Sequence, residues 1–319
     1  MLDGLVGLFF LILMGVMVII FLSSKRKSRK LKNLPIPDHL GVRAEIYLPA
    51  VNVLEQSLPE SYKEAVKNRI LKKHPDWHDY EFEWIFFELK RFFLINTLLK
   101  SVPMFSTRVD DLWHEMLMFT REYELFSKNV YHELLHHVPN PDHPFMSEER
   151  GFFDWIYLSL FDTTPNSRDI WGGFLQQPIN RAILDDFRKM PNDDLMRKYF
   201  RNNSDLREMN RVVIRKLKNE IFESDDVKQG KKSLAIPPTS SEQHYFQYAL
   251  GAAVFYSIYE DDQFQEQMQE WQPSEYYKTH PGGGSSCSGF ACSTSNDYDS
   301  GGGNGGDSSC SSCSGGCSS

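Results

Sequence analysis

YEFEWIFFELKRFFLINTLL, running from Tyr80 to Leu99, is the stretch whose reading decides the fold class. Placed on a wheel at about 100° per residue, it carries Phe, Trp, Ile or Leu on almost every face, so as a helix it must be enclosed by other elements. Its length nearly suffices to cross a bilayer. Glu81, Glu83, Glu88, Lys90 and Arg91 nevertheless make it a poor membrane helix, because an ion in hydrocarbon is expensive to hold. The stretch therefore reads as the central helix of a soluble bundle, and the fold class as mainly α.

Helical periodicity continues on both sides of it. Ser61 to Lys73 is a basic amphipathic pattern, and further helical patterns cover Val109 to Ser127, Glu148 to Leu160, Pro178 to Lys189, Asp194 to Phe200 and Ser204 to Phe222. Thr107 and Asp110 have the spacing of a capping box that would start the Val109 helix. Upstream, the Pro-punctuated stretch Asn33 to Pro59 contains YLPAVNVL, which reads as an extended strand or a packed linker. Downstream, Glu223 to Ser241 lacks periodicity and contains Gly230 and Pro237-Pro238, so it reads as an exposed linker before a last helix from Glu242 towards Met268.

The two ends differ in kind from the middle. Leu5 to Leu22 (LVGLFFLILMGVMVIIFL) carries no charge and, at 1.5 Å per residue, nearly matches a hydrocarbon core of about 30 Å. A cleaved signal would have basic residues before the apolar run and a small-x-small site after it, whereas here Asp3 precedes the run and lysines follow. The run reads as an uncleaved single transmembrane helix. Lys25, Arg26, Lys27, Arg29, Lys30 and Lys32 crowd one flank, and positive flanks stay inside, so the soluble part and the C-terminus are expected in the cytoplasm. From Pro281 to Ser319 most residues are Gly, Ser or Cys and neither Lys nor Arg occurs, a composition too poor in apolar surface to build a core. That end reads as a disordered Gly/Ser/Cys-rich tail.

The expected plan is thus an anchor over 1–24, a basic juxtamembrane segment and linker over 25–59, a helical domain over 60–222, a linker over 223–241, a helical extension over 242–270 and the tail over 281–319. All five cysteines, Cys287, Cys292, Cys310, Cys313 and Cys317, fall in the tail, so the folded part has no disulfides, as suits a reducing compartment. Net charge is -8, which excludes a nucleic-acid surface apart from the juxtamembrane run. The membrane and a protein partner are the expected associations.

Chemistry-bearing residues concentrate after the central helix. On the Val109 to Ser127 wheel, Leu112, Met116, Phe119, Tyr123 and Phe126 make the apolar stripe, while Asp111 and His114 lie off it, three apart and neighbours on one face. NVYHELLHHVPNPDHP then supplies His132, His136, His137 and His143. Asp111, His114, His136 and His137 form the first candidate site, for zinc or another divalent metal, with the carboxylate orienting an imidazole or sharing the ion. The second comes from His132-Glu133-Leu134-Leu135-His136, which fits H-E-x-x-H: two His on one helix turn for zinc, with Glu133 as the base beside a bound water. Asp142 stands at the third-ligand position of that zinc-dependent hydrolase reading, although Pro139 takes the place of the glycine that lets the chain turn. In the tail, Cys310, Cys313 and Cys317 are spaced to share a soft metal, but flanks of Ser and Gly mark a flexible segment.

VDDLWHEMLMFTREYELFSKNVYHELLHHVP, Val109 to Pro139, resembles the V-D-x-x-W-H … T-x-x-Y … H-H-x-P signature of a group of bacterial membrane-anchored proteins, some of which end in Gly- and Cys-rich tails. It is also distantly similar to the W-H-x-H element of plant glycine-rich domain proteins. The match carries over Asp110, Trp113, His114, Tyr123, His136, His137 and Pro139, and leaves His132 and Glu133 outside the signature. Met116 replaces the second His of the plant element. The resemblance implies an anchored helical protein and no particular reaction. The sequence reading is therefore a membrane-tethered helical interaction or sensor protein with a His/Asp metal site, against a zinc-dependent hydrolase; in the plainest alternative all these histidines are ordinary helix and loop residues.

Overall fold

The computed structural model describes residues 30–139, 146–235, 242–271 and 290–293. The expected Leu5 to Leu22 anchor, Asp142, His143 and most of the cysteine tail lie outside these residues. No helix among the described residues is long and apolar enough to cross a membrane.

Two 3-10 turns, Asp38–Gly41 and Glu45–Tyr47, lead into α1 (Leu48–Gln56) and α2 (Glu60–Lys73). YLPAVNVL is helical rather than a strand or linker. Pro49 falls in the first turn of α1, where a missing N–H costs nothing, and Ala50, Val51 and Leu54 are buried. α3 (Asp79–Leu98) is the expected central helix, and residues on all its sides are buried. Then come β1 (Ser101–Met104), α4 (Thr107–Leu117), α5 (Thr120–Tyr131), β2 (His136–Pro139), α6 (Met146–Leu160), α7 (Pro165–Trp171), α8 (Arg181–Lys189), α9 (Asn192–Tyr199), α10 (Arg207–Lys228), α11 (Glu242–Tyr259) and α12 (Phe264–Gln269). β3 (Phe290–Ser293) lies between β1 and β2 in a three-stranded antiparallel sheet.

The expected extension over 242–270 is helical and packed into the bundle: α11 packs on α10 and α6, with Ala249, Ala252, Ala253 and Val254 fully enclosed. Residues 290–293 of the expected disordered tail form the middle strand of the sheet. The described start of the expected linker, Leu31 and Lys32, is bonded to the bundle. Leu31 is buried and its N–H donates to Glu81 at 3.3 Å, while Asn166 exchanges two hydrogen bonds with the Lys32 backbone.

The helix expected over Val109 to Ser127 is two helices, bent where Phe119 takes φ -98° and ψ 69°. Ser106, not Thr107, caps α4 by accepting the Val109 N–H. The bend is set by tertiary bonds. Tyr62 donates its hydroxyl to the Met116 carbonyl at 2.9 Å, and Trp113 Nε1–H donates to Tyr123 Oη at 3.1 Å. In a straight helix, ten residues would put about 15 Å of axial rise between Trp113 and Tyr123, so that second bond requires the break.

The core is aromatic, with Trp84, Trp113, Trp155 and Trp171 all enclosed. At its centre lie two charges that argued against α3 as a membrane helix. Glu88 accepts from Tyr157 (2.6 Å), Ser167 (2.6 Å) and Trp171 (2.8 Å). Arg91 donates to the Leu40 and Asp162 carbonyls and to Tyr157, with Phe87 and Phe161 over its plane. A buried ion pair survives when its remaining donors and acceptors are satisfied, as these are. Gly41, at φ +59°, lets the chain close over this group: a Cβ there would lie 2.6 Å from an Arg91 nitrogen.

Candidate metal centre

The N-cap at Ser106 starts α4 so that Asp110 and His114, one turn apart, share a face. Asp110 is buried and His114 is half exposed at the rim. His137 comes from β2, and its position depends on the segment before it. Tyr123, having accepted from Trp113, donates its hydroxyl to the Leu135 carbonyl at 2.8 Å. On the other side of that segment Glu133 is held by Arg201 at 2.8 Å, and Arg201 itself is fixed by donating to the Asn96 and Leu99 carbonyls.

With the backbone so held, strand alternation turns His137 inward and His136 outward. His137 Nε2 lies 2.8 Å from Asp110 Oδ1, and His114 Nδ1 lies 3.5 Å from Asp110 Oδ2. The two imidazole rings are 4.5 Å apart, and the edge-on Trp113 indole walls His137 at 4.4 Å. One ligand atom from each of Asp110, His114 and His137 lies within 4.8 Å of the others, and this is the metal-competent cluster among the described residues. Two imidazoles and a carboxylate are a donor set taken by zinc and by ferrous iron.

The sequence-derived candidates divide accordingly. His114 and His137 come together as expected. Asp111 does not join them: its carboxylate pairs with Lys73 at 2.8 Å and sits 3.5 Å from His74, in a surface ion cluster between α2 and α4. Asp110 occupies the role given to Asp111, because i to i+4 spacing on the inner side of α4 brings its carboxylate under His114. His136 is exposed on the opposite side of β2.

The H-E-x-x-H arrangement is not formed as its chemistry needs. α5 ends at Tyr131, His132 is its left-handed cap at φ +61°, and His136 is in a strand, so the two imidazoles are not on successive turns of one helix. Glu133 is engaged by Arg201. Asp110 stood in the sequence as a signature residue and a helix cap; its metal-ligating place follows only from the fold.

Residues 52–149 match the UCP032817-like family model. No curated protein and no solved structure matches the chain. The matched segment contains the end of α1, α2 to α5, both outer strands and all three clustered side chains. Asp110, Trp113, His114, Tyr123 and His137 form one connected group within it.

Proposed function

We propose that the protein is a membrane-tethered helical domain that holds one divalent metal ion at Asp110, His114 and His137 and acts as a metal-dependent interaction or sensor module. The convergence of three ligand atoms from α4 and β2 within 4.8 Å carries this reading. An ion there would tie the α4 face to the strand that follows the α5 cap, so its arrival would fix the geometry of that surface. Leu125, Met118 and Leu134 are exposed on α5 and on the segments beside α4 and β2, in keeping with a partner that reads the surface. The hydrolase alternative has no comparable support, since Glu133 is tied to Arg201.

The test is elemental analysis and melting of the full chain in detergent, with and without chelator. The expected result is about one zinc or iron per chain and a midpoint lowered by chelation, since a ligand bound only by the folded state stabilises it by about 2.7 kcal/mol at a hundred times its Kd. His114→Ala, at a half-exposed position, should remove the metal and the chelator effect, whereas His132→Ala should change neither. A chain without stoichiometric metal after incubation with zinc or iron would overturn the proposal, and metal lost with His132→Ala but kept with His114→Ala would return the hydrolase reading.

A further inference from the structure

We propose that the exposed apolar pair Leu34 and Ile36 is the edge by which the bundle rests on a lipid surface, entering the headgroup layer beside the tether. The proposal rests on the reading of Leu5 to Leu22 as a spanning anchor, and adds which face of the bundle meets the bilayer. Leu34 and Ile36 are each 38% exposed, and with Lys32, Asn33 and Pro35 they make an unbroken exposed stretch near the start of the described chain. Only residues 23–30 separate the apolar run from Leu31, a reach of about 29 Å at most. The next exposed large apolar side chain along the described chain, Ile46, comes ten residues after Ile36.

A loose segment would fold such side chains away from water, but this one is held. The Leu31 N–H donates to Glu81, the Lys32 backbone exchanges bonds of 2.8 and 2.7 Å with Asn166, and the Leu34 carbonyl accepts from the Trp84 indole at 3.1 Å. Pro35 and Pro37 restrict φ on both sides of Ile36. Leu34 and Ile36 therefore stay in water, at a cost that insertion at the boundary of headgroups and acyl chains recovers.

The surrounding charges agree with that contact. Lys30 and Lys32 are exposed just before the pair, where anionic headgroups attract cations. Glu55 and Glu83, which line the same groove as Ile36, are paired with Lys90 at 2.9 Å and Lys63 at 3.0 Å, so they do not make this edge repulsive. The exposed Leu134 belongs to the other end of α3. Its neighbour Glu133 is held by Arg201, which donates to the Asn96 carbonyl, and α3 rises about 18 Å between Trp84 and Asn96. A contact made at Leu34 and Ile36 is thus distinguishable from one made at Leu134.

The test reconstitutes the full chain in vesicles of phosphatidylcholine and phosphatidylserine that contain a phosphatidylcholine with a photoactivatable group near the headgroup end of its acyl chain. After flotation and irradiation, mass spectrometry of tryptic peptides should find the lipid adduct on 33–43, which carries Leu34 and Ile36, and not on 129–150, which carries Leu134. The double variant Leu34→Ser, Ile36→Ser changes exposed positions only; it should still float and should lose most of the adduct on 33–43. A chain that floats without an adduct on 33–43 would overturn the proposal and leave the anchor standing. Equal labelling of the two peptides, or an adduct undiminished in the double variant, would overturn it as well, since the contact would then be unspecific or made by other groups. A chain that does not float with the vesicles would remove the anchor and the proposal together.

Discussion

Asp154 and Arg150, one turn apart on α6, form a second enclosed ion pair at 2.7 Å, in which Asp154 also accepts the Leu175 N–H at 2.8 Å and Arg150 donates to the Trp171 and Gly173 carbonyls. Burial pushes the Asp154 carboxyl up to about 6, against the downward pull of Arg150 and the Leu175 N–H. In the unfolded chain the same group ionises near 3.9. Between about pH 4 and pH 6 the folded protein therefore retains a proton that the unfolded chain has released, and this residue's contribution to stability falls as pH rises through that window and is constant above it. Urea unfolding of the native protein and of Asp154→Asn should show their stability difference drifting against the native protein from pH 4 to pH 6, then levelling. A difference that stays flat across the window would contradict the raised value. Nothing in the periodicity of α6 marks Asp154 as an interior charge. The same holds for Glu88 and Arg91 on α3, whose burial depends on Tyr157, Ser167 and Trp171 arriving from distant segments.

Among the elements, β3 changes the reading of the chain most. Its composition is that of a tail, with neither the length nor the alternation of a recognisable strand, yet β1 and β2 are both paired to it. Removing it leaves two short strands without their shared partner. Truncation before Pro281, or Ala291→Pro, which deletes a ladder N–H from a central strand, should therefore destabilise the domain. Each kcal/mol lost should lower the midpoint by about 2–4 °C in a domain of this size. Calorimetry checks this, and an unchanged midpoint in both variants would mean that β3 carries no stability. The α4–α5 break shows the converse limit of local reading. Leu112, Met116, Tyr123 and Phe126 are all buried, as a single wheel proposes, but the break rather than the wheel permits Tyr123 to meet both Trp113 and Leu135.

At the scale of the whole molecule, the docked Leu31 and Lys32 leave only residues 23–30 between the apolar run and the bundle, a reach of about 29 Å at most when fully extended. If Leu5 to Leu22 spans a bilayer, the domain is held against the membrane rather than suspended from it. The basic flank predicts which side: a reporter fused after Ser319 should be active in the cytoplasm and silent beyond the membrane, and activity outside would sink the orientation. The sequence by itself determined that the protein is mainly helical and that Tyr80 to Leu99 lies at its centre, because apolar periodicity and composition are local properties that every packing must respect. It also marked His114, off the apolar stripe of its wheel, and His137, in the His-rich segment, as candidate ligands. Only the tertiary structure decided that Asp110 rather than Asp111 faces them, that His137 turns in while His136 turns out, and that Cys292 stands opposite His137. Those choices depend on the bend at Phe119, the Ser106 cap and the strand register. The cap is a local bond from the Val109 N–H to Ser106, but the bend is tied by the Tyr62 bond to Met116 and the register joins strands remote in the chain, which no local pattern encodes.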